Sequence, residues 1–157
     1  MFELIQSIRI SGDQATGVAE IAADHLGLQD HFPGHLVLPA TWLVELAAQV
    51  AGPLAEMAVR ARHGVERWAL LAMIRDAKVL APVPLPAQVE IEARIDGAVA
   101  GSAAGEAIAP VRLRVLARCA EACVLRAELV FAMIEAPPGS EGAVQARRER
   151  VARWMAA

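Results

Sequence analysis

The sequence has only two cysteines, Cys119 and Cys123, among its 157 residues. Disulfide frameworks belong mainly to small secreted domains with several cysteine pairs, so two cysteines this close together argue against one. No second ligand pair accompanies them, as a metal site would require, and we expect small core or turn residues. Apolar runs are also short: none reaches the roughly 18 residues that a transmembrane helix needs.

Blocks of basic residues are missing as well, and the formal net charge is -3. This balance argues against a nucleic-acid partner, which a clustered positive charge would attract. Residues 1–6 lack the basic and apolar regions of a secretory signal peptide, so we expect a cytoplasmic protein.

Hydrophobic residues are plentiful, at 56% of the chain. Soluble domains contain about 45–50%, and the excess suggests that a partner subunit covers part of the surface. The length predicts one domain with one sizeable core.

The hydrophobic pattern predicts two strands, a long helix, about four further strands and a terminal helix. From Pro39 onwards apolar residues recur at helical spacing, and Gly52-Pro53 is expected to break or kink that helix before it ends at Gly64. Strands are expected at Phe2–Ile10, Thr16–Ala23, Arg67–Lys78, Gln88–Ile95, Val111–Leu116 and Ala122–Ile134, with a helix at Glu141–Met155. Consecutive strands favour an antiparallel sheet, so the pattern predicts an α+β domain over residues 1–136 and a helical tail over 137–157.

One segment pairs two proton-handling side chains with apolar surroundings. His31 precedes a proline-rich loop, and Glu45 lies among apolar residues of the predicted helix. Desolvation there would raise the pKa of Glu45 and favour its protonated form, while a histidine with a pKa of about 6.5 can accept a proton near neutral pH. The pair could therefore remove an α-proton and expel a β-hydroxyl from a 3-hydroxyacyl group. Backbone N–H groups at the helix start, near Ala40, could polarise a thioester carbonyl.

A structural interpretation of the same residues stays open. A glutamate in an apolar helix often lies at a surface edge or pairs with arginine, and a histidine near a proline turn is usually structural. We also interpret His25 and His63 as surface residues, His35 as solvent-facing, and the arginines of the tail as a solvated helix face.

Residues 31–49 read HFPGHLVLPATWLVELAAQ. This segment resembles the motif H-F-P-G-x-P-V-M-P-G-x-L-x-x-E-A-x-A-Q of the hotdog-fold 3-hydroxyacyl-[acyl carrier protein] dehydratases of the FabZ/FabA type, with Glu45 the same 14 positions after His31. The resemblance covers roughly residues 2–135.

The resemblance implies a hotdog fold, in which a curved antiparallel sheet wraps one long central helix. It also implies a homodimer joined edge to edge, with His31 of one subunit facing Glu45 of the other, and leaves open whether dimers pair into larger assemblies. His31 would be the base, Glu45 the acid and the Ala40 N–H the oxyanion donor. The substrate would arrive on the phosphopantetheine arm of an acyl carrier protein, without a metal or organic cofactor. Candidate tunnel residues are Phe32, Val37, Leu38, Pro39, Trp42 and Gln49.

Some positions depart from the motif. Ala40 replaces a glycine, Trp42 is bulkier than the usual aliphatic residue, and few basic residues precede the proline-rich connector at 82–86. These departures leave open whether the pathway makes fatty acids, polyketides, polyenes or other lipids. A hotdog acyl thioesterase and a non-catalytic acyl-binding partner subunit are the alternative functions.

Overall fold

The computed structural model describes residues 4–25, 28, 34–100 and 108–157. The element order matches the order predicted from the sequence. The elements are β1 Ile5–Ser11, β2 Gln14–Ile21, α1 Ala40–His63, β3 Trp68–Val79, β4 Ala87–Ile95, β5 Val111–Cys119, β6 Ala122–Ile134 and α2 Glu141–Ala156. The largest differences in strand bounds are three residues, at β1, which begins at Ile5 rather than Phe2, and at β5, which continues to Cys119 rather than Leu116.

The six strands form one antiparallel sheet in the order β1-β2-β4-β5-β6-β3. The sheet curves around α1, which packs against all six strands. Alternation along β4 shows how the sequence builds this layer, because its apolar residues are buried against α1 and its charged residues are exposed. The predicted α+β architecture is therefore confirmed.

α1 is one continuous helix of 24 residues, although Pro53 lies inside it. Of the two predicted outcomes at Gly52-Pro53, a break is therefore wrong. Proline removes one helical hydrogen bond, here the bond to the Gln49 carbonyl. Residues 50–55 are all buried, so packing on every side holds the segment helical despite that loss. The helix ends where predicted, at Gly64, which adopts a left-handed conformation with φ 66°.

The loop that enters α1 is fixed by the proline-rich connector. The Leu38 N–H donates to the Val83 carbonyl at 2.8 Å, and the Leu85 N–H donates to the Leu36 carbonyl at 3.0 Å. Between them, Val37 and Pro84 form an isolated bridge, which agrees with the limited ladder bonding expected of a chain with alternate prolines. These bonds set the position from which α1 starts.

The C-terminal helix α2 packs along β1 and buries Trp154 in the core. Arg147 reaches across to α1, where its Nη2 donates to Glu56 Oε1 at 2.7 Å and its Nε donates at 3.1 Å. Arg148 pairs with Glu66. The interpretation of the tail arginines as a wholly solvated face is therefore wrong for Arg147, which is half-buried.

Both cysteines lie at the β5–β6 hairpin, half-buried and with free thiols. Neither described helix has the length and apolar character that crossing a membrane requires.

Gly17 allows α1 to approach β2 closely. A methyl group at this position would lie 2.5 Å from Val50 Cγ2 and 3.3 Å from the Ser7 carbonyl oxygen. Val50 is fully buried and cannot move aside. We expect Gly17→Ala to lower the free energy of unfolding by about 1–3 kcal/mol, as overpacked core substitutions do, measured by urea denaturation.

Gly142 on α2 provides the matched control, because a methyl group there meets nothing within 4 Å. Gly142→Ala should leave stability unchanged or raise it by up to about 1 kcal/mol through helix propensity. Equal effects of the two substitutions would contradict the close approach of β2 and α1.

Candidate active site

Of the two predicted catalytic residues, Glu45 is described and His31 is not; Phe32 also lies outside the described residues. Glu45 projects from the second turn of α1 and is exposed. The described residues therefore do not supply the predicted desolvation of this carboxyl group. The neighbouring Leu46 is buried while Val44 is half-buried, because successive helical residues point about 100° apart.

Gln49 holds Glu45 from the next turn of the helix. Its Nε2 donates to Glu45 Oε1 at 2.8 Å, the contact expected for residues four positions apart. The other end of the amide, Oε1, is buried, and no described residue donates to it. Buried acceptors are nearly always paired in folded proteins, so this oxygen is an exception within the described residues.

The N-terminus of α1 lies one turn before Glu45. Pro39 precedes the helix and provides no side-chain cap, and the first helical residue, Ala40, is exposed. The first N–H groups of a helix have no intrahelical acceptor and carry its positive dipole end. These N–H groups would polarise a carbonyl oxygen or stabilise an anion placed there. Such a group would also lie near the helix face that carries Glu45.

Trp42 and His25 pack against each other beside this end of α1. Their rings meet edge to face with centroids 5.1 Å apart and planes at 90°. His25 is half-buried, so its interpretation as a surface residue is wrong. The contact joins the segment after β2 to α1, and no local pattern in the sequence marks it. Among the other tunnel candidates, Val37 and Pro39 are half-buried and Leu38 is buried in the core.

The other two described histidines, His35 and His63, differ in burial. His35 is exposed, as predicted. His63 is half-buried and its Nε2 lies 3.0 Å from the Val99 carbonyl oxygen, so its interpretation as a surface residue is wrong. Among the described residues, no three histidine, cysteine or acidic side chains lie close enough to hold a metal ion.

β3 leaves an apolar surface at one edge of the sheet. Leu70, Met73 and Ile74 are 55%, 54% and 48% exposed. Ile74 pairs with Leu129, which is fully buried, so both side chains lie on the concave face of the sheet. Leu129 is fully buried and Ile74 is 48% exposed, so the concave face stays open along this part of β3.

Comparison with known proteins gives a partial sequence match. No protein-family model matches the chain. A 3-hydroxyacyl-[acyl-carrier-protein] dehydratase FabZ from Geobacter metallireducens is 39% identical over 49 residues, which are 31% of this chain. The match covers 33% of the curated relative, about a third of its length.

Solved structures match over most of the chain. The dehydratase heterocomplex ApeI:P from Xenorhabdus doucetiae has a TM-score of 0.60 at 14% identity, covering 91% of this chain and 88% of that one. Thioesterase HI1161 from Haemophilus influenzae has a TM-score of 0.57 at 17% identity, covering 82% and 77%. The protein smu.793 from Streptococcus mutans, bound to acetyl CoA, has a TM-score of 0.61 at 12% identity, covering 85% and 90%.

At these identities the structural likeness establishes the fold, and the partial sequence match is to a FabZ protein. The chain has the α+β hotdog fold, a curved antiparallel sheet around one long central helix, and it resembles the FabZ-like hotdog proteins.

Proposed function

We propose that this protein dehydrates a 3-hydroxyacyl thioester to the trans-2-enoyl thioester on an acyl carrier protein. The observation that carries the proposal is the motif at 31–49, in which His31 precedes Glu45 by 14 positions. The position of Glu45 on an open face of α1, next to an uncapped helix N-terminus, supports it.

In the proposed reaction, His31 takes the proton from C2 of the acyl chain. The electron pair left on C2 forms the C2–C3 double bond as the C3–O bond breaks. Protonated Glu45 gives its proton to the departing hydroxyl, which leaves as water. The Ala40 N–H stabilises the negative charge that develops on the thioester oxygen.

Gln49 is the proposed positioning residue for Glu45. Its Nε2 holds one carboxyl oxygen at 2.8 Å, which leaves the other oxygen for the substrate. The 3-hydroxyl group of the substrate would bind at that second oxygen of Glu45. The leaving hydroxyl would then lie beside its proton donor.

We further propose a homodimer joined through β3. Strand edges with exposed apolar residues invite pairing with another chain, and Leu70, Met73 and Ile74 form such an edge. A second subunit there would also cover the open concave face and desolvate Glu45. In this arrangement His31 of one subunit meets Glu45 of the other.

The acyl tunnel in this proposal lies between the subunits. Phe32, Val37, Pro39 and Trp42 would line it, with Trp42 held by its contact with His25. No cofactor takes part, and the substrate comes from a carrier protein of lipid or polyketide synthesis in the cytoplasm.

The proposal is tested with purified protein and a 3-hydroxyacyl carrier protein, followed by mass spectrometry of the intact carrier. We expect the carrier-bound acyl group to lose the mass of one water molecule and Glu45→Gln to abolish the change. Intact substrate with the wild type, or equal turnover with Glu45→Gln, would refute it.

The same assay separates the alternatives. A thioesterase would release the free acid and return the unloaded carrier. The heterocomplex among the structural matches provides a reason to test the partner-subunit alternative, since that structure is a dehydratase assembled as a heterocomplex. A partner subunit would retain the acyl chain unchanged until a second hotdog subunit is added.

Replacing Gln49 with methionine should lower kcat about 10- to 100-fold, because a misplaced acid loses its reactive geometry. KM should change little, because the acyl chain contacts other residues. Steady-state kinetics with the 3-hydroxyacyl carrier protein measure both constants.

Gln145 provides the matched control, since its Nε2 donates to Glu149 Oε1 at 2.7 Å in the same four-residue relation on α2. Gln145→Met should leave kcat unchanged. Equal kcat values for Gln49→Met and the wild type would remove Gln49 from the mechanism.

A further inference from the structure

A groove of about 420 Å³ lies between the second half of α1, the start of β3 and α2. Its apolar walls are formed by Met57, Trp68, Val144, Val151 and Met155. We call it the α2 groove. Its volume falls within the range of small-molecule sites, and its methionines can adapt to the shape of an apolar chain.

The rim of the α2 groove carries unbalanced positive charge. Arg60 and Arg148 both pair with the single carboxylate of Glu66, Arg60 at 3.6 Å. All three side chains are more than half exposed. Two guanidinium groups that share one carboxylate keep donors for a second one, and guanidinium binds carboxylates in a paired geometry.

The other charged residues of the α2 groove form ion pairs that connect the elements around it. Arg67 pairs with Glu135 at 3.1 Å, and Arg147 pairs with Glu56 at 2.7 Å. Glu56 Oε1 also accepts the Ala69 N–H at 2.9 Å. Glu56 therefore joins α1, α2 and β3, so the groove is formed before any ligand arrives.

The α2 groove is separate from the candidate active site. Met57 follows Glu45 by 12 residues on α1, which corresponds to about 18 Å along the helix. A ligand of the groove is therefore not a group that Glu45 could reach.

We propose that the α2 groove binds a single alkyl chain that ends in a carboxylate. The chain packs against Met57, Trp68 and Val151, and the carboxylate binds Arg148 and Arg60 at the rim. Apolar walls with a guanidinium rim match an amphiphile of this charge and exclude a cationic one. The proposal does not depend on the chemistry at Glu45.

Isothermal titration calorimetry with decanoate, below its micelle concentration, tests the proposal on the full-length protein. Decyltrimethylammonium carries the same chain with a cationic head group, and we expect it to bind at least tenfold more weakly.

Two substitutions locate the binding. Arg148→Ser, at an exposed position, and Met57→Glu, on the apolar wall, should each weaken decanoate binding at least tenfold. Circular dichroism verifies that both variants fold. Both should retain the turnover of the 3-hydroxyacyl carrier protein, so that failure of the groove proposal and failure of the proposed function are distinguished.

Three results would overturn the proposal. Equal affinity for decanoate and decyltrimethylammonium would show that the rim does not select an anion. Unchanged affinity in both variants would place decanoate elsewhere. Decanoate that converts a dimer to monomers would show that the groove is a contact for a second copy of the chain.

Discussion

A dimer that combines one His31→Ala subunit with one Glu45→Gln subunit should recover about half of the wild-type kcat, although each homodimer is inactive. In a two-fold dimer with sites across the interface, one of the two sites then keeps both wild-type residues. The other site loses both. Co-expression with two different affinity tags and sequential purification isolates the mixed dimer for the assay.

The reciprocal pairing supplies the control. A wild-type subunit joined to a subunit carrying both substitutions should be nearly inactive, because each site across the interface lacks one residue. If His31 and Glu45 of the same chain formed the site, the outcomes would reverse: this dimer would keep about half of the activity and the first would have none.

Local periodicity predicted most elements of the fold. Alternating residues at 88–95 gave β4, and the i, i+3, i+4 spacing from Leu43 gave the buried face of α1. Gly64 marked the end of the helix because only a left-handed residue closes it there. Each of these signals is carried by residues within a few positions of one another.

The same spacing explains why Glu45 is exposed within the described chain. Its neighbours in sequence are apolar, but they point to other sides of the helix, and Glu45 shares its side with exposed Thr41 and half-buried Gln49. Apolar neighbours in sequence do not desolvate a helical side chain. Desolvation of a helical side chain comes from residues three and four positions away, or from a second subunit.

Contacts between segments far apart in the chain could not be predicted from local sequence patterns. Pro53 stays helical within a buried stretch of α1, and Arg147 meets Glu56 across 91 positions. The ring contact between His25 and Trp42 likewise depends on how the segment after β2 returns to α1. Local helix and strand propensities do not reflect such packing, and a strong tertiary environment overrides those propensities.

Replacing Ile74 with lysine should weaken the dimer about 100-fold, because each two-fold dimer carries the substitution twice. Ile74 is 48% exposed on the concave face of β3, where the proposed interface buries it. A charge on an edge strand discourages pairing with another chain. Sedimentation velocity over a dilution series measures the shift, and turnover at low protein concentration should fall with the dimer fraction.

Thr16→Lys is the matched control, since it adds the same charge at an exposed strand position on β2, away from β3. It should leave both the dimer and turnover unchanged. If Ile74→Lys kept a wild-type dimer, β3 would not be the interface, and the site shared between two chains would lose its structural basis. If the variant became monomeric but kept full turnover, one chain would hold a complete site, and the mixed dimers described above would then follow the reverse pattern.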